Sequence, residues 1–212
     1  MKGVFITFEG TEGSGKSTHI QLLADRLRAE GRTVRILREP GGTAIGEEIR
    51  HTLKHSLQNE GMTPEAELLL LNASRAQLVR EAIRPALAAG EVVLCDRFYD
   101  STIAYQGFGR QLDLETVRAV IDFAVGETRP DLTVLLMVPL ATSEARRESR
   151  GADVALPRDR FEEADRDFFR RVEEGYRSIA AAEPKRVYAV DSTQSLEHVE
   201  RLIRDRVELL FQ

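Results

Sequence analysis

The stretch Gly10-Thr11-Glu12-Gly13-Ser14-Gly15-Lys16-Ser17 has a glycine, four further residues and then Gly-Lys-Ser, which is the pattern of a phosphate-binding loop. An apolar run from Val4 to Glu9 precedes it, and a helix is predicted to follow. Glycines let backbone N–H groups turn towards phosphate oxygens, and the start of a helix adds positive potential. We therefore predict that this stretch and Thr18 bind ATP, with Lys16 at the β and γ phosphates and Ser17 on a magnesium ion.

Apolar, β-rich runs alternate with helical or loop stretches along the chain, which predicts parallel strands joined by crossovers. The expected fold class is therefore α/β, with a five-stranded parallel sheet and helices on both faces. Apolar residues at successive positions also favour strands buried on both sides. The predicted strands are Val4 to Glu9, Thr33 to Arg38, Val92 to Asp96, Leu132 to Val138 and Arg186 to Asp191.

The longest predicted helix begins after Thr63, which is placed to act as the N-cap, with Pro64 at the first helical position. It should run to Ala89, where Gly90 ends it. A second long helix is predicted from about Arg160 to Ala182.

The composition of the 212 residues is that of an ordinary folded domain, with 42% hydrophobic and 31% charged residues. We expect one domain over residues 1–212. The net charge of −5 gives no general basic face for a nucleic-acid polymer and favours a small acceptor.

No apolar run approaches the roughly 18 residues that cross a bilayer, so we expect a cytoplasmic protein without a membrane partner. The only cysteine, Cys95, is expected to be a buried thiol.

Charged residues follow two of the predicted strands directly. Asp96 and Arg97 end the third strand, and in a parallel sheet the carboxyl ends of the strands face the ligand crevice. Asp96 is therefore predicted to reach the magnesium shell, and Arg97 to donate to an acceptor phosphate. The stretch Arg38-Glu39-Pro40-Gly41-Gly42-Thr43 ends the second strand at the same edge. A turn alone would explain the proline and glycines, but it explains the charged Arg-Glu pair badly.

Five segments, taken in order, resemble the thymidylate kinases, and the resemblance covers nearly all of the chain. They are Gly10 to Ser17, Arg38 to Thr43, Ala73-Ser74-Arg75, Asp96 to Gly107 and Asp159-Arg160-Phe161-Glu162. The resemblance implies a P-loop nucleoside monophosphate kinase fold with a short lid at about residues 146–160. It also implies an enzyme that transfers the γ-phosphoryl group of ATP to dTMP, giving dTDP and ADP in dTTP synthesis, with Mg²⁺ as cofactor and a homodimeric assembly.

The same resemblance implies the roles of residues in the acceptor site. Glu12 would hold the 3′-hydroxyl, Arg75 would bond the thymine carbonyl edge, and Arg38 and Arg97 would hold the phosphate. Tyr105 would crowd the sugar 2′ position and so favour deoxyribose. The acceptor site would also include Pro40, Leu71, Ser101, Thr102 and Gln106. On the adenine side of ATP, the resemblance places Gln194, and Arg146 or Arg147.

Leu71 departs from the family pattern, which usually has a phenylalanine that stacks on the base. Leu71 and Arg75 still share one face of a helix, but aliphatic contact replaces stacking. A kinase for UMP or dUMP therefore stays open as an alternative. A nucleotide-gated binding module is the alternative from another class; it would explain the phosphate-binding loop but not the Arg38-Glu39 pair.

The variable positions of the phosphate-binding loop, from Thr11 to Ser14, contain no cationic residue. The lid should then supply the positive charge that phosphoryl transfer needs, with Arg150, Arg158 and Arg160 as the candidate catalytic residues beside Lys16 and Arg97. Acidic residues are interleaved with these arginines, so a solvated face of mixed charge is the alternative interpretation.

Overall fold

The computed structural model describes residues 3–56, 59–151 and 165–212. In these ranges five strands form one sheet, and every neighbouring pair is parallel, in the order β2-β3-β1-β4-β5. The predicted α/β class is confirmed, and each strand end lies within one residue of its predicted position. The strands are β1 Val4–Glu9, β2 Val34–Arg38, β3 Val92–Asp96, β4 Leu132–Met137 and β5 Val187–Asp191.

Helices follow the strands and cover both faces of the sheet. They are α1 Lys16–Ala29, α2 Ala44–Lys54, α3 Pro64–Leu78, α4 Arg84–Ala88, α5 Tyr99–Thr102, α6 Leu114–Val125, α7 Leu140–Gly151, α8 Arg166–Ala182 and α9 Leu196–Glu208. Two π-helical segments, Val79–Ile83 and Ile103–Gly109, continue α3 and α5, and short 3₁₀ turns lie at Asn59–Gly61 and Leu209–Phe211. None of the described helices is both long enough and apolar enough to span a membrane.

The core has two layers, one on each side of the sheet. One layer packs Phe5 and Val93 against side chains from α3, α6 and α8. The other packs Ile6 and Leu94 against α1 and α9. Cys95 belongs to the first layer and is buried, as predicted. The central strands β1, β3 and β4 are therefore held on both faces, and the loops at their carboxyl ends have a rigid base.

The prediction that all strands are buried on both sides is wrong for β2 and β5. Both are edge strands, and β2 exposes Arg35, Ile36 and Arg38. Arg35 forms an ion pair with Glu91 (2.8 Å). Charged side chains on an edge strand disfavour the addition of a strand from another chain. An apolar run cannot distinguish a central strand from an edge strand, because strand order is a long-range property.

The start of α3 agrees with the sequence prediction. Thr63 is the N-cap and its side chain accepts from the backbone N–H of Ala66 (3.3 Å). The helical run then passes through the π-helical segment Val79–Ile83 and ends with α4 at Ala88, two residues before Gly90, which has φ +79°. Pro85 has no N–H to donate, and the wider π turn directly before it is one way of accommodating this inside a helix.

The structure describes only part of the predicted lid. Residues 146–151, the first six of the fifteen in the predicted segment, belong to the helix α7. The second long helix begins at Arg166 and not at Arg160, because Asp165 caps it by accepting from the N–H of Phe168 (2.7 Å). Residues 152–164 lie outside the described residues.

Candidate active site

A cavity of about 280 Å³ lies at the carboxyl ends of β1, β2 and β3, where the sequence predicted the ligand crevice. Its wall combines five stretches that are far apart in the chain: the loop after β1 with the start of α1, the end of β2 with α2, the middle of α3, the end of β3 with the segment after it, and the start of α8. The predicted site residues in this wall are Glu12, Gly13, Gly15, Lys16, Ser17, Thr18, Arg38, Pro40, Leu71, Arg75, Asp96, Arg97, Ser101, Thr102, Tyr105 and Gln106.

The phosphate loop, residues 10–17, joins β1 to α1 in a conformation that needs glycine at two points. Gly10 has φ +134°, and a Cβ there would meet the backbone carbonyl of Leu136; Gly15 has φ +94° at the start of α1. The Lys16 ammonium donates to the carbonyl oxygens of Gly10 (3.1 Å) and Thr11 (3.0 Å). The buried hydroxyls of Thr11 and Ser14 have no hydrogen-bond partner within the described ranges. The loop therefore has polar groups to offer to phosphate oxygens.

Lys16 is 8% exposed, and the burial of its ammonium lowers its pKa to about 7. Repulsion from Arg97 acts in the same direction, whereas the carboxylates of Asp96, Glu9 and Glu12 oppose it. An ammonium that is poorly solvated in the free protein gains most from an anionic ligand. The environment of Lys16 is thus suited to a phosphate.

Ser17 and Asp96 face each other across the sheet edge, as a shared metal site would require. The Ser17 hydroxyl donates to Oδ2 of Asp96 at 3.2 Å. Two hard oxygen donors fit Mg²⁺, which usually takes one or two protein ligands and completes its shell with water and substrate phosphates. No group of three or more His, Cys, Asp or Glu side chains that could hold a metal occurs in the described part of the chain.

Arg97 directly follows β3 and has φ +70°, a left-handed conformation that is uncommon for a residue with a side chain. Its N–H donates to the carbonyl of Phe8 (2.9 Å), which continues the sheet pairing. The guanidinium contacts three hydroxyls, donating to Ser101 (3.0 Å), Tyr176 (3.3 Å) and Tyr105 (3.4 Å). This arrangement holds the cation in the cavity wall next to the tyrosine predicted to read the sugar.

Glu9, the last residue of β1, is a member of this network that sequence reasoning missed. It is fully buried, and its carboxylate accepts from the N–H of Phe98 (2.7 Å) and from the hydroxyls of Ser101 (2.6 Å) and Tyr176 (3.0 Å). Ser101 and Tyr176 also accept hydrogen bonds from Arg97, so Glu9 fixes the position of two hydroxyls that hold the Arg97 guanidinium. The sequence feature that could have identified Glu9 is a carboxylate at the end of an otherwise apolar strand.

Burial raises the pKa of Glu9 to about 7, and the charge of Asp100 adds to this effect. The positive charge of Arg97 and the hydrogen bonds from Ser101 and Phe98 oppose it. The folded protein therefore binds the Glu9 proton more tightly than the unfolded chain does. The resulting stability is present below pH 4.5 and is lost as the pH rises through about 7.

We expect a Glu9→Gln variant to lack this pH dependence. Between pH 4.5 and pH 8 the parent should lose about 3 kcal/mol of unfolding free energy relative to the variant. Denaturant unfolding of both proteins at several pH values measures the difference. Glu174→Gln, at an exposed position on α8, is the control and should follow the parent. A constant difference between parent and Glu9→Gln across this range would contradict the assignment.

Arg75 is 2% exposed and is held rigidly at the cavity wall. It forms an ion pair with Glu39 (2.7 Å), and also donates to the Asn72 side chain (2.8 Å) and the Phe98 carbonyl (3.3 Å). Glu39 belongs to the Arg38-Glu39 pair, so the buried acid after β2 orients a cation on α3. Leu71 lies one turn before Arg75 and lines the same cavity, as the helical spacing predicted.

Five further cavity residues were not predicted as site residues: Glu39, Arg50, Lys54, Phe98 and Phe169. Arg50 and Lys54 are four residues apart on α2, which places two more cations on the cavity side of one helix. Arg50 also donates to the Pro40 carbonyl (2.9 Å). Arg38 also lines the cavity, and it forms an ion pair with Glu47 (3.0 Å).

The loop after β5 contacts the phosphate loop but does not line the cavity. The Ser192 hydroxyl donates to the Ser14 carbonyl (2.6 Å), and Arg146 bridges the two loops by donating to the carbonyls of Gly13 (3.2 Å) and Ser192 (3.0 Å). Gln194 donates to Asp191 within its own loop (3.0 Å). The predicted side chains of Arg147, Arg150, Arg158 and Arg160 lie outside the described part of the structure.

Comparisons with known proteins agree with this geometry. The family model described as Thymidylate kinase matches residues 8–203. Thymidylate kinase of Alcanivorax borkumensis is 49% identical over 208 residues, covering 98% of this chain and 97% of the relative. That of Desulfovibrio desulfuricans is 46% identical, covering 97% and 95%. The crystal structure of thymidylate kinase from Ehrlichia chaffeensis is 31% identical with a TM-score of 0.77, covering 98% of this chain and 99% of that one.

A match of this extent, together with a phosphate loop and an arginine-lined cavity at one edge of a parallel sheet, confirms the family and the fold class. The chain belongs to the thymidylate kinase family of ATP-dependent nucleoside monophosphate kinases.

Proposed function

We propose that the phosphate loop binds ATP, that the adjoining cavity binds dTMP, and that the γ-phosphoryl group passes between them to give ADP and dTDP. One observation carries the proposal: Lys16 and Ser17 of the phosphate loop line the same cavity as Leu71, Arg75 and the segment after β3. Two nucleotides bound in this way have their phosphates at a common centre. The names of the relatives, which match over nearly their full length, support thymidylate as the acceptor.

Positioning and charge neutralisation account for the catalytic roles that we propose. The attacking group is a phosphate oxygen of the acceptor, so the reaction needs no strong base. Arg97 and Arg38 hold the acceptor phosphate, and Lys16 neutralises charge on the β and γ phosphates of ATP. Arg150, Arg158 and Arg160 are proposed to add further positive charge from the lid.

Ser17 and Asp96 are the residues that would hold Mg²⁺. A bound magnesium ion supplies charge neutralisation at the bridging and γ oxygens of ATP. The Ser17 hydroxyl lies 3.2 Å from Asp96, and this short distance supports a shared magnesium site beside the phosphate loop. Asp96 is positioned by the register of β3 against β1, where it pairs with Phe8.

An acceptor panel tests the proposed function directly. ADP release from ATP would be measured with dTMP, dUMP, UMP or no acceptor. We expect dTMP to give the highest kcat/KM and the reaction without acceptor to be negligible. A preference for UMP or dUMP would support the alternative that Leu71 left open. ADP release that is independent of an acceptor would instead support a nucleotide-gated binding module.

Tyr105 is expected to give a preference for deoxyribose. The ring is 8% exposed, and edge contacts with Phe168 (6.0 Å between centroids) and Tyr176 (6.3 Å) hold it in place. A 2′-hydroxyl against such a ring would be buried without a partner. Tyr105→Ala should reduce the discrimination between dTMP and its ribose counterpart roughly tenfold or more.

The kcat/KM values for both nucleotides, in both proteins, measure this effect. Tyr105→Phe keeps the ring and is the matched control, so it should discriminate like the parent. If the alanine variant also discriminates like the parent, Tyr105 does not read the sugar.

We also propose that the protein forms a homodimer, through α3 and α6. These helices pack together, and they expose Leu69 (59%) and Phe123 (86%). Large apolar side chains this exposed are typical of surfaces that another protein covers. The predicted cytoplasmic location and the single-domain organisation stay predictions.

A Phe123→Glu variant tests the proposed dimer face. A buried, unpaired carboxylate would oppose association, so we expect a monomer where the parent sediments as a dimer in analytical ultracentrifugation. Glu115→Gln, at an exposed position near the start of α6, is the control. A monomeric parent would refute the homodimer, and a dimeric variant would place the interface elsewhere.

A further inference from the structure

Glu67 is a buried carboxylate whose contacts lead to the candidate base site. It lies in the first turn of α3 and its side chain is 0% exposed. Gln106 donates its amide N–H to Oε1 of Glu67 at 2.8 Å. Arg110 donates to both carboxylate oxygens, at 3.2 Å and 3.1 Å, and so compensates the buried charge.

The contact with Glu67 determines which end of the Gln106 amide faces the cavity. A carboxylate only accepts hydrogen bonds, so the NH₂ group of Gln106 has to point towards Glu67. The carbonyl oxygen then points the other way. Gln106 is 1% exposed and lines the cavity, and within the described ranges no protein donor bonds to its carbonyl oxygen. This oxygen is therefore available to accept from a ligand.

Arg75, in the same wall, has the opposite hydrogen-bonding character, because a guanidinium only donates. Its Nε donates to Glu39 (2.8 Å) and its Nη1 to Asn72 (2.8 Å), which fixes the plane of the fork. The cavity thus combines the Arg75 guanidinium, a donor with a fixed orientation, with the Gln106 carbonyl oxygen, an acceptor whose orientation depends on Glu67 alone. A thymine ring matches this pair, since its O4 accepts and the adjacent N3–H donates. Cytosine has the reverse pattern, with an amino donor beside an N3 acceptor.

We propose that Glu67 is a specificity-determining positioning residue: it holds the Gln106 amide so that the carbonyl faces the cavity, which then accepts an N3–H imide edge and rejects cytosine. The inference rests on the proposed function, in which the base lies against Arg75 and Gln106. A neutral partner at position 67 would allow the Gln106 amide to turn over and offer a donor to cytosine N3. The negative charge of Glu67 excludes this alternative.

The test compares kcat and KM for dTMP and for dCMP in the parent, Glu67→Ala and Glu67→Gln. We expect Glu67→Ala to raise the KM for dTMP, and to lower the dTMP-over-dCMP preference by about tenfold or more. The turnover number with dTMP and the KM for ATP should stay within about twofold of the parent, because neither depends on reading the base. Glu67→Gln retains one carbonyl acceptor and should give an intermediate preference.

Glu65→Ala is the matched control, since Glu65 is an exposed carboxylate in the same turn of α3. It should have the preference of the parent. If Glu67 is only a structural ion-pair partner of Arg110, its substitution will lower the unfolding temperature and leave the preference unchanged, which would overturn the inference. If Glu67→Ala does not fold, a parent-like preference in Glu67→Gln overturns it equally.

A Gln106→Ala variant separates this inference from the proposed function. If it leaves the KM for dTMP and the preference unchanged, the base does not lie against Gln106, and the proposed placement of the acceptor fails. If it reduces the preference while both Glu67 variants behave like the parent, the placement stands and only the role of Glu67 is refuted.

Discussion

A Lys16→Ala variant should fold normally and lose nearly all transferase activity. The Lys16 ammonium is buried, it donates to the loop carbonyls of Gly10 and Thr11, and burial lowers its pKa to about 7. Because burying the Lys16 ammonium costs desolvation free energy, we expect the side chain to contribute little to folding stability. Its expected role is to neutralise phosphate charge in the transition state. We expect kcat to fall by roughly a hundredfold or more.

Steady-state kinetics with dTMP and ATP, together with thermal unfolding, measure both parts of this prediction. Lys185→Ala, at an exposed position before β5, is the matched control and should retain full activity. Turnover near that of the parent in Lys16→Ala would refute the assignment of the phosphate loop. A large fall in unfolding temperature would instead show that Lys16 stabilises the loop.

An Arg97→Ala variant should lose most of its catalytic efficiency towards the acceptor. The guanidinium is held between the hydroxyls of Ser101, Tyr176 and Tyr105, so its fork is pre-organised for a phosphate. We expect kcat/KM for dTMP to fall by roughly a hundredfold or more, while the affinity for ATP changes little.

Arg97→Lys distinguishes charge from geometry. It retains the positive charge but loses the planar fork, so its kcat/KM for dTMP should lie between those of the parent and the alanine variant. Direct titration with ATP and with dTMP separates the two sites. An unchanged acceptor KM in Arg97→Ala would show that another cation, such as Arg50 or Lys54, holds the acceptor phosphate.

Sequence reasoning succeeded where the physical rule is local. The phosphate loop was predicted because its glycines, its lysine and the flanking strand and helix lie within about fifteen residues. The Thr63 cap depends only on a bond to Ala66, and Asp96 and Arg97 were assigned because strand ends meet at one edge of a parallel sheet. The resemblance to a family added Arg75 and Tyr105, which line the same cavity; their roles stay predictions.

Sequence reasoning was wrong where hydrophobic periodicity alone does not determine the outcome. Strand order made β2 and β5 edges, and a cap at Asp165 moved the start of α8 to Arg166. Neither outcome follows from local periodicity, because an apolar run does not reveal its neighbours and a cap competes with helical propensity over a single turn.

The sequence by itself determined the phosphate-binding loop and a site at one edge of a parallel sheet, since both follow from short motifs and alternating elements. Its resemblance to a family indicated a kinase. Only the tertiary structure decided which buried carboxylates hold the side chains in and next to the cavity wall. Glu9 meets Tyr176 across 167 residues, Glu39 meets Arg75 across 36, and Glu67 meets Gln106 across 39. The physical reason is that a buried charge is stable only where its partners converge in space, and that convergence is a product of the fold.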